Sequence, residues 1–240
     1  MRRNKKTIWL YLGFLFIIAA VFILAEAPAD GIESALRGHE TLIDCRYQGT
    51  TAYAFVSSTG RTDYGDLFVV FEQEGSVWKR TYENDFTGLK PWKLELGDID
   101  GDGVTDILTG VKKTTYYDAE EKNRLFVFYY IDQKLVKKWT GSQIAGTWKD
   151  FIVGDLLPAK GEELIFISEA EDGKERLWLY SWFDFGFQAL ADSGGYGNIT
   201  GLIITGENRI ELTYHTVKKT KVAMTVKNGK IIEEESEQQK

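Results

Sequence analysis

A short acidic loop constrains this chain more than any other segment. It reads Gly97-Asp98-Ile99-Asp100-Gly101-Asp102-Gly103-Val104-Thr105-Asp106. Aspartates at alternate positions repel one another, and a loop curled around a hard cation relieves that repulsion, because calcium accepts about six to eight oxygen ligands. The two inner glycines allow the positive φ angles that such a curl needs. The sequence therefore predicts one calcium site, with ligands from the side chains of Asp98, Asp100, Asp102 and Asp106 and from the backbone carbonyl of Val104.

Two other interpretations of this loop are weaker. Asp and Gly dominate ordinary polar turns, but four aspartates at this spacing favour a cation site. An EF-hand needs a bidentate glutamate at the twelfth loop position, which is Thr109 in this chain. The residues Ile107–Val111 also read as a strand, where an EF-hand has its exit helix. The EF-hand is therefore excluded.

The loop and its flanks resemble a known family of repeats. A loop that closes at Asp106 and runs into an apolar strand resembles the calcium loops of FG-GAP/VCBS-type repeats, as in the β-propeller of integrin α-subunits. The segment Trp92–Gly97 also resembles the strand that leads into the loop in that family. The resemblance is strong over residues 92–111 and weak elsewhere. It implies a β-propeller fold and one structural calcium ion.

Internal repeats support the same fold. Phe151–Asp155 and Glu163–Ile167 repeat the strand, loop and strand pattern, with Glu163 in the place of Asp106. Leu157 and Ala159 replace the middle aspartates, so this second copy should bind no metal. Weaker copies place residues 44 and 205 in register with Asp98. The spacing of the units suits four short apolar strands each, the size of one propeller blade. We therefore predict an all-β, β-propeller-like domain of about four four-stranded blades.

The ends of the repeat leave its closure open. The fourth unit is expected to lack its last strand, and the first unit has a surplus strand around His39–Ile43. If that strand completed the last sheet, a ring of four blades would close and bury both exposed edges. The alternatives are an open, curved array and a ring completed by another chain.

The first residues predict export. Basic residues precede an uncharged apolar run, Ile8–Leu24, whose length is close to a bilayer span. A signal peptide cleaved at Ala25-Glu26-Ala27 is the alternative to an uncleaved anchor. We predict a cytoplasmic basic flank (1–6), one N-terminal transmembrane helix acting as a signal-anchor (7–26), a linker (27–34), the repeat domain (35–233) and an acidic tail (234–240). The expected location is the cell membrane, single-pass, with the C-terminal domain outside the cytoplasm.

Charge and cysteine content limit the partners. The chain carries a net charge of −7, and its basic N-terminal flank leaves the exported part more negative still. This argues against nucleic acid as a partner. The single cysteine, Cys45, cannot form an internal disulfide and is expected to be a small buried residue.

The sequence contains no recognisable active site. The two histidines, His39 and His215, have no partner at metal-ligand or triad spacing. A two-metal hydrolase site built from the acidic loop lacks a second ligand cluster. We therefore predict that the protein is not an enzyme.

Aromatic residues supply the candidate contact surface. Tyr116, Tyr117, Trp182 and Phe183 lie near predicted turns and are candidates for partner contact. The recurring tryptophans are expected to pack between blades, and a sugar-binding platform is the alternative; they are Trp78, Trp92, Trp139, Trp148, Trp178 and Trp182.

These features together predict a membrane-anchored, extracytoplasmic binding or scaffold protein. Its partner would be a protein or an envelope polysaccharide, and its loop would hold one structural calcium ion. The alternatives are an enzyme that acts on cell-surface polysaccharide, with the propeller as its scaffold, and a subunit of a larger envelope assembly.

Overall fold

The computed structural model of the protein describes residues 31–140 and 143–234. These residues form one 3-10 turn, Ile32–Ala35, followed by sixteen β-strands. The strands are β1 (Thr41–Gln48), β2 (Thr51–Ser57), β3 (Leu67–Glu74), β4 (Val77–Asp85), β5 (Pro91–Gly97), β6 (Asp106–Thr115), β7 (Asp118–Ile131), β8 (Lys134–Thr140), β9 (Trp148–Gly154), β10 (Glu163–Glu169), β11 (Glu175–Phe183), β12 (Gly186–Ser193), β13 (Asn198–Gly206), β14 (Arg209–His215), β15 (Lys219–Lys227) and β16 (Lys230–Glu233). The all-β prediction is confirmed.

The strands form four antiparallel units of four, in chain order. Sheet 1 contains β1–β4, sheet 2 contains β5–β8, sheet 3 contains β9–β12 and sheet 4 contains β13–β16. Each predicted repeat is therefore one meander, in which consecutive strands pair. The first strands of the sheets lie side by side in the order β1, β5, β9 and β13. This arrangement of four-stranded units around neighbouring first strands is propeller-like.

The inner sheets are buried on both faces, and this explains their apolar strands. In β7, Phe126 and Phe128 pack toward sheet 1, whereas Leu125 and Val127 pack toward sheet 3. Successive side chains of a strand point to opposite faces. A strand between two neighbouring sheets must therefore be apolar on both faces, and it reads as a continuous hydrophobic run.

Three hydrophobic clusters join the sheets in a row. One lies between sheets 1 and 2, one between sheets 2 and 3, and one between sheets 3 and 4. A fourth cluster covers the outer face of sheet 1, where Ile32 is fully buried against Ala52, Val69 and Phe71. Among the described residues, no cluster joins sheet 4 to sheet 1.

The expectation that the fourth unit lacks its last strand is wrong, and the N-terminal strand does not complete the last sheet. The segment around His39–Ile43 runs into β1, which pairs with β2 inside sheet 1. Sheet 4 contains its own last strand, the short β16, which pairs with β15. β16 also pairs in parallel with β12 at Ser193 and Ile231, so sheets 3 and 4 are continuous at their outer edges. The short β16 buries one apolar side chain, that of Ile231.

The predicted basic flank and signal-anchor lie outside the described residues. Of the predicted linker the structure describes Gly31–Ser34, and of the predicted acidic tail it describes Glu234. Within residues 31–140 and 143–234, no helix has the length and apolar character needed to cross a membrane.

Candidate cation site and neighbouring surfaces

The acidic loop joins β5 to β6 and is curled by its own side chains. The Asp98 carboxylate accepts hydrogen bonds from the backbone N–H groups of Asp102 (3.0 Å) and Gly103 (2.8 Å). The Asp102 carboxylate accepts one from the N–H of Val104 (2.8 Å). Gly101 and Gly103 have φ angles of 65° and 87°. The positive φ angles predicted for these two glycines are confirmed.

Three of the four predicted carboxylates converge. Oxygens of Asp98, Asp100 and Asp106 lie within 4.8 Å of one another. Asp106 is fully buried at the start of β6, and the other two are half-buried. Asp102 does not belong to this group, and the Val104 side chain is exposed. Such a set of carboxylate oxygens is suited to a hard cation. The donor set therefore fits calcium, and calcium binding at this loop remains a prediction.

A lysine already places a positive charge among these carboxylates. The ammonium group of Lys138, on β8, lies 2.7 Å from Asp100 Oδ2, 2.7 Å from Asp106 Oδ2 and 2.9 Å from Asp106 Oδ1. It also lies 5.5 Å from the ring centroid of Trp182, within the range of a cation–π contact. The loop is therefore neutralised in part by the protein itself.

Burial and this ion pair shift the ionisation of the group. Burial raises the pKa of Asp106 to about 6, and the hydrogen bonds and charge of Lys138 oppose that rise. At Asp100 burial acts in the same direction, but Lys138 outweighs it and the pKa is lowered. Burial tends to lower the pKa of Lys138, and the two carboxylates more than compensate, so it is raised. At neutral pH the lowered pKa of Asp100 and the pKa of about 6 of Asp106 leave both carboxylates mainly ionised beside the ammonium group.

The second loop, between β9 and β10, resembles the first but has Leu157 and Ala159 in place of the middle aspartates. Glu163 takes the place of Asp106 and is fully buried. Its Oε2 accepts hydrogen bonds from the N–H groups of Leu156 and Leu157, both at 3.0 Å. Asp106 likewise accepts one from Ile99, seven residues before it, at 3.3 Å. The predicted correspondence of the two loops is confirmed.

The two loops pack directly against each other. The Asp98 carbonyl accepts a hydrogen bond from Glu162 N–H (2.9 Å), and the Glu162 carboxylate accepts one from Asp98 N–H (3.1 Å). A Cβ atom at Gly101 would lie 2.6 Å from Lys160 Cγ and 2.8 Å from Gly161 N. Gly101 is therefore needed for close approach as well as for its φ angle.

The candidate contact residues do not form one surface. Tyr116 and Tyr117 are each 94% exposed at the turn between β6 and β7. Phe183 is exposed at the turn between β11 and β12. The first turn lies at the end of the sheets opposite the acidic loop and the second at the same end as the loop, because consecutive strands are antiparallel. Trp182 is thus brought to the acidic loop through Lys138, and the two tyrosines are not.

The expected packing of the tryptophans between blades is confirmed for all but Trp78, which lies in the cluster on the outer face of sheet 1. Trp148 is 2% exposed and packs within the cluster between sheets 2 and 3. Trp92 lies on β5 beside it, with ring centroids 5.9 Å apart. A Cβ atom at Gly110 would lie 3.1 Å from two ring atoms of Trp92, so the ring rests directly on the backbone of β6.

Trp92 also lines an open cleft of about 420 Å³ at the starts of β5, β9 and β13. The other lining residues are Lys93, Lys149, Asp150, Ile167, Ile199, Thr200, Gly201 and Leu202. Lys93 Nζ pairs with Asp150 Oδ1 at 2.5 Å. Lys149 Nζ contacts Glu175 Oε1 at 2.5 Å and the Ile199 carbonyl at 2.9 Å. The cleft lies at the opposite end of the first strands from the acidic loop, and it combines an aromatic ring with fixed polar groups.

The remaining candidate residues are unremarkable in position. His39 and His215 are both exposed. Cys45 is half-buried against the outer face of sheet 1, so its expected full burial is only partly met, and burial raises the pKa of its thiol.

Sequence reasoning missed Lys138 and the cleft. Lys138 lies in the segment Lys134–Thr140, whose lysines resemble those of any solvated strand. A β-bulge between the pairs Val127–Trp139 and Phe128–Lys137 leaves Lys138 as the extra residue of β8. Bulges are not visible in the side-chain period, so no sequence signal directed this lysine to the loop.

Comparison with known proteins supports the fold. No protein-family model matches the sequence, and no curated protein matches it. A solved structure of a hypothetical selenium-binding protein from Sulfolobus tokodaii is similar, with a TM-score of 0.52 and 9% identity over 81% of this chain and 54% of that protein. A candidate 6-phosphogluconolactonase from Bacteroides fragilis gives a TM-score of 0.48 and 12% identity over 79% of this chain and 55% of that protein. This chain thus spans about half the length of each, and the first likeness concerns the fold alone.

Proposed function

We propose that this protein is a membrane-anchored, extracytoplasmic binding module whose propeller-like domain recognises an envelope saccharide in the cleft at Trp92. The observation that carries the proposal is the cleft itself, which the neighbouring first strands of sheets 2, 3 and 4 form together. Ligand sites are typically concave, with aromatic walls and a few fixed polar groups. Export and anchoring rest on the apolar run Ile8–Leu24 in the sequence.

The chemistry of the cleft favours a polyhydroxylated ligand. The indole ring of Trp92 offers an apolar face on which a sugar ring can stack. Lys93, Asp150 and Thr200 offer donors and acceptors at the rim, and the Lys93–Asp150 ion pair holds two of them in one geometry. The Trp92 indole N–H is buried and has no hydrogen-bond partner among the described residues, so the ring is the part of Trp92 that a ligand would contact.

A binding role is better supported than hydrolysis. Glycosidases place two carboxyl groups on either side of the scissile bond, about 5–9.5 Å apart. Of the described residues that line the cleft, Asp150 is the one carboxylate, and it is paired with Lys93. The carboxyl groups with raised pKa, those of Asp106, Glu162 and Glu163, belong to the two loops at the other end of the strands.

We further propose, from the FG-GAP/VCBS resemblance, that the acidic loop binds calcium as a structural ion. Asp98, Asp100 and Asp106 would hold it. The ion would supply positive charge to a loop that packs on its neighbour through Asp98 and Glu162. A ligand that binds only the folded state stabilises it by mass action.

Calorimetric titration of the full-length chain in detergent micelles tests the cleft. The probes are N-acetylglucosamine oligomers, as neutral saccharides, and poly(glycerol phosphate), as an anionic polymer. We expect the neutral saccharide to bind the wild type and the double variant Lys93→Ala/Asp150→Ala to bind it at least about tenfold more weakly.

The control is Glu74→Ala/Lys79→Ala, which also removes one ion pair without changing the net charge, on an exposed hairpin of sheet 1. It should bind as the wild type does. Equal affinity of the cleft variant, or no binding of either probe to the wild type, would overturn the saccharide proposal.

Thermal melts with calcium, with magnesium and with a chelator test the loop. We expect a calcium-specific rise in melting temperature for the wild type. Asp100→Ala with Asp102→Ala should weaken calcium binding and lower the melting temperature, with the strand content unchanged by circular dichroism. An unchanged calcium affinity in this double variant contradicts the assignment of the loop.

A further inference from the structure

We infer that the Lys138 ammonium group is the built-in counter-ion of the acidic loop, and that calcium binds the loop only by displacing it. The inference rests on the proposed calcium binding and adds the residue that sets its affinity. It is carried by the position of Lys138, which comes from a different strand and makes three short contacts with two of the three converging carboxylates.

The contacts of Lys138 are too close for a shared site. Both oxygens of Asp106 and one oxygen of Asp100 lie within 2.9 Å of the ammonium nitrogen. Because both Asp106 oxygens contact the ammonium group, the Asp106 oxygen that would ligate a metal at about 2.3–2.6 Å is already occupied. Two cations cannot contact the same carboxylate oxygens without strong mutual repulsion. Calcium and the ammonium group therefore compete.

The arrangement is built into the fold and is not a chance surface pair. The Lys138 side chain is 13% exposed and that of Asp106 is 0% exposed. Buried carboxylates require a partner, because removing a charge from water is costly. The β-bulge that contains Lys138 turns this residue toward the loop.

Sheet 3 shows which residue takes the place of Lys138 beside a loop that lacks the middle aspartates. The pairs Leu179–Ala191 and Tyr180–Ala189 enclose the same bulge, and its extra residue is Leu190. Leu190 packs against the apolar cluster between sheets 3 and 4. Lysine at the bulge thus accompanies the aspartate-rich loop, and leucine accompanies the loop that lacks the middle aspartates.

Competition lowers the apparent calcium affinity by a simple factor. When a binding site is in its competent state for a fraction of the time, the apparent Kd rises by the inverse of that fraction. A lysine that occupies the carboxylates for nine-tenths of the time raises the Kd about tenfold. Retreat of the ammonium group would also change its contact with Trp182, 5.5 Å away.

Calcium titration of the full-length Lys138→Met variant tests this inference. Methionine keeps an unbranched side chain of similar length and removes the charge. We expect Lys138→Met to bind calcium at least about tenfold more tightly than the wild type by calorimetry. In chelator its melting temperature should be below that of the wild type, since the carboxylates then have no counter-ion, and calcium should restore it. Calcium should change tryptophan fluorescence in the wild type more than in Trp182→Phe.

The matched control is Lys137→Met, the exposed neighbour on the same strand, which should bind calcium as the wild type does. Equal, measurable calcium affinity in the wild type and Lys138→Met would overturn the inference and leave the calcium loop standing. No calcium binding by either protein would overturn both. Tighter binding by Lys138→Met alone, with an unchanged control, supports both.

Discussion

Two buried carboxyl groups occupy the same place in neighbouring loops and have different partners. Asp106 faces the ammonium group of Lys138. Glu163 accepts two backbone hydrogen bonds through Oε2, and its Oε1 has no partner among the described residues. Burial raises the pKa of Glu163, and the two backbone N–H groups oppose that rise only in part. The folded protein therefore favours the protonated form of this side chain more than the unfolded chain does.

Glu163→Gln should stabilise the protein more at high pH than at low pH. A carboxyl group whose pKa is raised by folding contributes stability below its unfolded pKa and loses it as the pH rises through the folded pKa. Glutamine is neutral throughout. The difference in unfolding free energy between variant and wild type should therefore grow in favour of the variant from about pH 4.5 upward. Urea unfolding at several pH values measures it.

Glu169→Gln, at the exposed end of the same strand, is the control for this change. It should shift the free energy of unfolding by no more than about 0.5 kcal/mol at any pH. A constant difference between Glu163→Gln and wild type across the pH range would show that Glu163 does not titrate differently in the folded state.

At the scale of elements, the contact between the two loops depends on a glycine. Gly161 has a φ angle of 85°, and a Cβ atom there would overlap the Ile99 carbonyl oxygen of the neighbouring loop. Two hydrogen bonds between Asp98 and Glu162 hold the same contact. This junction aligns the ends of β5 and β9, and with them the acidic loop.

Gly161→Ala should destabilise the protein by about 1–3 kcal/mol beyond the cost of its φ angle, because the backbone must separate to admit the methyl group. Gly173→Ala is the matched control. Gly173 has a similar φ angle, 73°, with open space around it. Gly173→Ala should lower the free energy of unfolding only by the conformational penalty of about 1–2 kcal/mol. Denaturant unfolding of both variants compares them, and equal losses would contradict a close loop contact.

On the scale of the whole molecule, the row of sheets has two different end faces. The outer face of sheet 1 is apolar and is covered by the 3-10 turn, with Ile32 fully buried. Glu40 and Arg80 fasten the following segment to the sheet through an ion pair of 2.5 Å. The outer face of sheet 4 is not covered by any of the described residues: Ile203 is 55% exposed, and Lys221 forms an ion pair with Glu211.

An isoleucine-to-alanine substitution should therefore change the free energy of unfolding much more at the outer face of sheet 1 than at that of sheet 4. Ile32→Ala removes a buried side chain and should lower the free energy of unfolding by about 2–5 kcal/mol. Ile203→Ala removes an exposed one and should change it by no more than about 0.5 kcal/mol. Equal effects in urea unfolding would show that sheet 4 is covered as sheet 1 is.

The sequence by itself determined the features that depend on neighbours along the chain. Alternation and spacing are local, so the four units, most of their strands and the correspondence of the two loops were predictable. The last strand of the fourth unit, β16, was not predicted. The curl of the acidic loop was predictable for the same reason, because the hydrogen bonds within the loop join residues at most seven apart, as at Ile99 and Asp106.

Only the tertiary structure decided which distant residues meet. The bulge in β8 directs Lys138 to Asp100 and Asp106, and side-chain periodicity does not reveal a bulge. The antiparallel course of the strands separates Tyr116 from Trp182 and brings Trp92 to the cleft with Asp150 and Thr200. Within residues 31–140 and 143–234 the row stays open at sheet 4, because β1 pairs with β2 and β16 completes the last sheet. Strand partners and registers depend on contacts between residues far apart in the chain, and these are settled by packing of the whole molecule.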